Sequence, residues 1–163
     1  MRFVHVATIK LKKKSTLGSK KRKKNRMAKD FFHEIVVEAL KKENWIITHD
    51  PLIIRVGGVG MEIDLGAERM IGAEKNGEKI AVEIKSFIKP SAISEFHMAV
   101  GQYMNYRKAL GKKEPNRLLY VAVPKETYNS FFTLPFIMDC IDEYRLKIII
   151  YDAIKGEVTK WKK

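Results

Sequence analysis

The 163 residues carry 32 Lys and Arg against 19 Asp and Glu, a formal net charge of +13. That length suits one domain with a single ordinary core. The one cysteine, Cys140, excludes an internal disulfide framework and a cysteine-rich zinc site. No apolar run reaches the roughly 18 residues of a membrane-spanning helix. The start also lacks the apolar stretch and small-residue cleavage site of a secretory signal, so a reducing cytoplasm is the expected compartment.

The charge is unevenly spread. Eleven of the 32 basic residues lie within residues 1–26, which hold no acid, so the remainder is 21 basic residues against 19 acids. A block of like charge that includes Lys20 through Lys24 is expected to be disordered and able to bind phosphate backbones without sequence preference. The alternative is that the functional chain begins at Met27 and residues 1–26 are an upstream extension of the reading frame. Either way the expected division is a basic segment, 1–26, and one domain, 27–163.

From Met27 the pattern becomes orderly. Asp30 is placed to cap a helix running to about Glu43, with Phe31, Phe32, Ile35, Val36, Ala39 and Leu40 as its apolar stripe. Trp45–Thr48 reads as a first strand, ended by His49-Asp50-Pro51. A second apolar run, Leu52 to Val56, leads into the turn Gly57-Gly58-Val59-Gly60, which resembles no phosphate-binding loop because no Lys-Ser/Thr follows it. Two strands holding Asp64 and Glu83 come next, with Asn76-Gly77, a favoured two-residue hairpin turn, between them. Ser91 or Ser94 starts a long helix to about Leu110 with the stripe Ile93, Phe96, Val100, Tyr103 and Met104. Leu118 to Val123 is a strand of the buried kind. One or two helices broken near Pro135 span 125–144 and place Cys140 in the core. Leu146 to Tyr151 is another buried strand, and Val158 to Trp161 is a last edge strand. This order predicts an α/β fold with a central mixed β-sheet flanked by helices.

The chemistry concentrates in Glu62-Ile63-Asp64 and Ala81-Val82-Glu83-Ile84-Lys85. Alternation along a strand puts Glu83 and Lys85 on one face, with Val82 and Ile84 on the other. Folding the hairpin back would bring Asp64 beside Glu83. Two carboxylates that close repel unless a cation lies between them, and all-oxygen donors suit Mg2+ or Mn2+. A neighbouring lysine can orient or deprotonate an attacking water, or stabilise charge on a phosphate. Acid, then acid-x-lysine on paired strands, is the active-site pattern of the PD-(D/E)xK nucleases. A solvated hairpin face with a cross-strand ion pair yields the same string. The position of the motif between the first and second long helices favours the site.

Longer motifs carry a family resemblance. Asp30-Phe31-Phe32-His33, Asn44 through Leu52, Ile63 through Arg69, Ala73-Glu74-Lys75, Ile80 through Phe87 and Gly101-Gln102-Tyr103 resemble the XisH family. The resemblance spans nearly all of 27–163 and does not extend into 1–26. XisH proteins are called fdxN element excision controlling factors, after cyanobacterial DNA elements excised during heterocyst differentiation. The family implies a restriction-endonuclease-like fold, a partner called XisI and DNA as the target, with a site-specific recombinase as a further partner. Nucleases of this fold often dimerise, so a homodimer is also an expectation.

Carried over residue by residue, the resemblance makes Asp64 and Glu83 metal ligands and Lys85 the general base or charge stabiliser. Gln102 matches the helix glutamine that orients the lysine or a phosphate. His33 stands where related resolvases carry a first-helix glutamate. Ile63 replaces the proline that names the superfamily. Asp50 reads as a turn residue, and His49 as its local partner. Glu68 and Glu74 read either as acids behind the metal site or as exposed hairpin charges, and His97 as a polar flank. Arg55, Lys89, Arg107, Lys108, Lys112 and Lys113 are the cations outside the basic segment that could face DNA. Three functions stay open at this point: metal-dependent DNA cleavage or nicking, a non-catalytic subunit controlling excision through XisI or a recombinase, and a basic nucleic-acid-binding protein whose activity resides in residues 1–26.

Overall fold

The computed structural model describes residues 3–61 and 70–163. Helix α1 runs Phe3–Lys42, forty residues, so Asp30 lies inside it instead of capping its start. Residues 3–26 are helical rather than the disordered tail that their charge suggested. Lys and Arg are good helix formers and no proline interrupts the segment.

Six strands form one mixed sheet in the order β1 (Ile46–His49), β4 (Met70–Lys75), β5 (Glu78–Ile84), β6 (Arg117–Pro124), β7 (Ile148–Asp152), β8 (Glu157–Lys162). The β5–β6 and β6–β7 pairs are parallel, and the β1–β4, β4–β5 and β7–β8 pairs antiparallel. Strands β2 (Ile54–Val56) and β3 (Val59–Met61) make a separate hairpin. Two parallel pairs need crossovers. Helix α2 (Ala92–Lys113) supplies the first, and α3 (Lys125–Thr127), a π-turn over Tyr128–Phe132 and α4 (Pro135–Glu143) supply the second. The observed architecture is the α/β class expected, with helices on both faces of a central mixed sheet.

The turn between β4 and β5 is the Asn76-Gly77 pair, both residues at positive φ (49° and 82°), as the tight hairpin requires. Its register sets Met70 across from Glu83. The hairpin therefore does not by itself bring Asp64 opposite Glu83. Asp64 lies outside the described residues, as do Glu62, Glu68 and Arg69.

The sheet buries both faces. Val36, Val37 and Leu40 of α1 pack with Ile71, Ile80, Val82, Ile84 and Tyr120 on one side. On the other, Phe96, Tyr103, Tyr106 and Leu110 of α2 pack with Ala81, Leu119, Val121 and Val123. Each such aliphatic or aromatic side chain stabilises by about 1.5–3 kcal/mol on burial. Phe31 turns out to be exposed, as do Ile93 and Met104. The buried line on α2 keeps the expected Phe96 and Tyr103 and runs 96–99–103–106–110, with Ala99 and Tyr106 in place of the exposed Ile93 and Met104. Cys140 is half-buried against the same core.

The β7–β8 turn is organised by Asp152, whose Oδ1 accepts the N–H groups of Ile154 (2.9 Å) and Lys155 (3.0 Å). The Lys155 N–H, with that of Ile154 and against the opposing effect of burial, holds the carboxyl below the usual carboxylate range. A lowered folded value means that the ionised form favours folding. The contribution is present above the ordinary carboxylate value and disappears as pH falls through the folded one. Asp152→Asn should therefore be less stable than the wild type at neutral pH, with the gap closing as pH drops below about 4 in a series of thermal melts.

Candidate functional site

Glu83 and Lys85 close β5 and the residues just after it. The strand alternation that sends Val82 and Ile84 against α1 sends these two to the α2 side. Glu83 is fully buried and Lys85 is 4% exposed. Burying an ammonium or a carboxylate is costly unless the charge is met by a partner. Lys85 Nζ stands 3.0 Å from Glu83 Oε1 and donates to Gln102 Oε1 at 2.6 Å. The backbone N–H of Lys85 continues the ladder onto Ala122 O at 2.9 Å. Gln102 is held in reach by α2, whose N-terminus is capped by Ser91 through its bond from the Ser94 N–H. The structure thus brings together Glu83, Lys85 and Gln102, which the sequence separates by up to nineteen positions.

His33 belongs to a second pair. It is 5% exposed, and its Nε2 lies 2.8 Å from Asp50 Oδ2. The other ring nitrogen, Nδ1, is buried with no hydrogen-bond partner among the described residues. Asp50 is thus more than a turn residue, because it ties the segment after β1 to α1. His49 does not pair with it; its Nδ1 meets Thr48 Oγ1 at 3.0 Å instead. His97 is exposed.

Glu74 settles on the hairpin reading. Its Oε1 lies 3.5 Å from Lys79 Nζ and 3.4 Å from Arg117 Nη2. Arg117 is a buried cation that sequence reading missed, since the strand was started one residue later at Leu118. Its guanidinium meets Glu114 at 2.8 Å and donates to Ile80 O at 3.0 Å. The Glu-x-x-Arg spacing was the available signal. Glu95 is a second buried charge that went unnoticed, accepting the Lys89 N–H at 3.2 Å.

As a metal centre, the described residues place the carboxylate of Glu83 at the lysine. Among them no group of three His, Cys, Asp or Glu side chains is placed to hold an ion. The donor chemistry of Glu83 suits a hard cation, and completing such a site would fall to Asp64.

The geometry defines the protein's class: a mixed α/β domain in which an acid-x-lysine strand is buried against a helix glutamine. The chain belongs to the XisH family, whose model, described as XisH protein, matches residues 27–159. A crystal structure of an fdxN element excision controlling factor protein from Anabaena variabilis is similar to it at 51% identity and a TM-score of 0.76, covering 82% of this chain and 99% of that one. An XisH family protein from Nostoc punctiforme PCC 73102 is similar at 49% identity and a TM-score of 0.75, with the same coverage. No curated protein matches the chain. No helix among the described residues is long and apolar enough to cross a membrane.

The pair at the centre of the site has a measurable consequence. Lys85→Ala takes away the ammonium facing a carboxylate at 0% exposure and should cost about 3–5 kcal/mol in denaturant unfolding. Adding Glu83→Gln should return part of that loss, with a coupling above about 1 kcal/mol in the double-mutant cycle. Additive losses would show that the two charges do not depend on each other.

Proposed function

We propose that the chain controls excision of a DNA element through phosphodiester hydrolysis or nicking, with Glu83, Lys85 and Gln102 at the centre of the reaction and Asp64 and His33 completing it. The observation that carries this reading is the buried lysine held between Glu83 and Gln102 at 3.0 and 2.6 Å. A cation desolvated in that way interacts more strongly with negative charge than one in water. Family membership supports the biology, and the Anabaena variabilis relative is itself titled an excision controlling factor.

In this reading Gln102 positions Lys85, and Lys85 faces the charge that gathers on the phosphate oxygens as water attacks phosphorus and the bond to the leaving oxygen breaks. Glu83 and Asp64 would hold Mg2+ or Mn2+, which when bound polarises the phosphate and supplies a more acidic water. His33, with Asp50 fixing one ring nitrogen, has its other nitrogen free to accept a proton.

A second reading is favoured by a specific observation. Lys85 is already engaged by Glu83 and Gln102, and among the described residues no group of three His, Cys, Asp or Glu side chains is placed to hold an ion. A domain with this arrangement could keep the fold and control excision through an XisI-like protein or a recombinase without cutting.

The test is cleavage of supercoiled and branched DNA by the full chain in Mg2+ or Mn2+, with and without the XisI-like protein. Glu83→Gln and the double variant Glu83→Gln/Lys85→Met, which leaves no unpaired buried charge, serve as controls once their melts show them folded. The nuclease reading expects metal-dependent nicking that falls by at least about 100-fold in both variants. Wild-type protein that is folded, binds partner or DNA and never cuts selects the regulatory reading.

A further inference from the structure

We infer that the chain carries a separate binding site for a phosphate group, in a cavity of about 520 Å³ between the C-terminal half of α2, the start of β6 and the segment entering β7. Its walls include Tyr103, Arg107, Arg117, Arg145 and Lys147, with one acid, Glu143. The site is independent of the nuclease reading. Arg117, Leu118 and Leu119 pair with Lys79, Ile80 and Ala81 at the beginning of β5, whereas Glu83 and Lys85 lie toward its far end.

Three of the four cations form no salt bridge among the described residues. The charge of Arg117 is met by Glu114 and Glu74. Arg107 donates instead to a neutral carbonyl, Tyr144 O, at 2.7 Å and lies over the Tyr103 ring at 5.5 Å. Arg145 and Lys147 make no side-chain ion pair among the described residues. Four cations against one acid on the wall of a single cavity favour an anion there, and guanidinium groups match phosphate oxygens in bidentate fashion. The volume suits a ligand of mononucleotide size.

The backbone that carries Arg145 and Lys147 is also held in place. The buried Tyr103 hydroxyl donates to Leu119 O at 3.2 Å and to Arg145 O at 3.3 Å, and accepts the Lys147 N–H at 3.2 Å. Burial pushes this hydroxyl's pKa up, so it stays a donor at ordinary pH. Arg145 itself follows α4 at φ 52°, with Leu146 N–H bonded back to Ile141 O at 2.9 Å. That left-handed position at a helix end is the one glycine takes without strain. An arginine there is conformationally costly, and the cost is understandable if its charge is needed in the cavity.

The phosphate can come from a small ligand or from a nucleic acid backbone. Calorimetric titration of the full chain with inorganic phosphate, adenosine monophosphate and a short DNA duplex separates the two. Arg145→Gly suits the backbone there and should leave the melting temperature unchanged or higher, and Lys147→Gln is the second variant. The expected result is binding by the wild type that weakens at least about tenfold in each variant. Binding of phosphate or the mononucleotide assigns a small ligand, and binding of the duplex alone assigns the backbone; either supports the site. Undiminished binding in folded Arg145→Gly and Lys147→Gln, or no binding of any probe by the wild type, overturns it.

Discussion

Strand β5 is where the structure's constraints meet. It lies between an antiparallel neighbour and a parallel one, so its backbone is fully committed on both edges and its side chains must satisfy two different faces. Ile80, Val82 and Ile84 join α1 in one apolar layer. Ala81 joins the other layer, which then has to accommodate Glu83 and Lys85 at its end. A one-residue slip would exchange the two sets and put a carboxylate and an ammonium among Val36, Val37 and Leu40. The short Asn76-Gly77 turn resists such a slip because it sets the β4–β5 register at its source.

Much of this was readable from residue order. Asn76-Gly77, the Ser91 cap and the apolar runs of β6 and β7 are local signals, and each is found within a residue or two of its expected place. The acid-x-lysine face was also readable, because strand parity needs no tertiary information. The start of α1 was misread because a dense run of lysines carries two opposite messages: good helix propensity and mutual repulsion. The α2 stripe was right at Phe96 and Tyr103 and wrong at Ile93 and Met104, because alanine and tyrosine do the remaining packing at Ala99, Tyr106 and Ala109. His33 with Asp50, and Arg117 with Glu74, join residues 17 and 43 positions apart. No local pattern announces such pairs; they follow from which strands become neighbours.

Three groups of cations stand out among the described residues. Lys85 and Arg117 are buried and met by carboxylates. Lys20 through Lys24 stand in water along one helix, where salt screens them within about 10 Å. Arg107, Arg145 and Lys147 line one concavity. A formal charge of +13 describes none of these classes, because the cations that matter most to structure are those whose charge is already cancelled.

The sheet's two margins carry a consequence for assembly. Strand β1 is four residues long with an irregular register against β4. At the opposite margin β8 bears Lys160 and Lys162, and its register shifts against β7. Short, distorted or lysine-bearing margins are poor templates for another molecule's strand. Two copies of this chain would therefore gain little by zipping their sheets into one continuous ribbon, and the same shielding protects the folded protein from growing into fibrillar stacks.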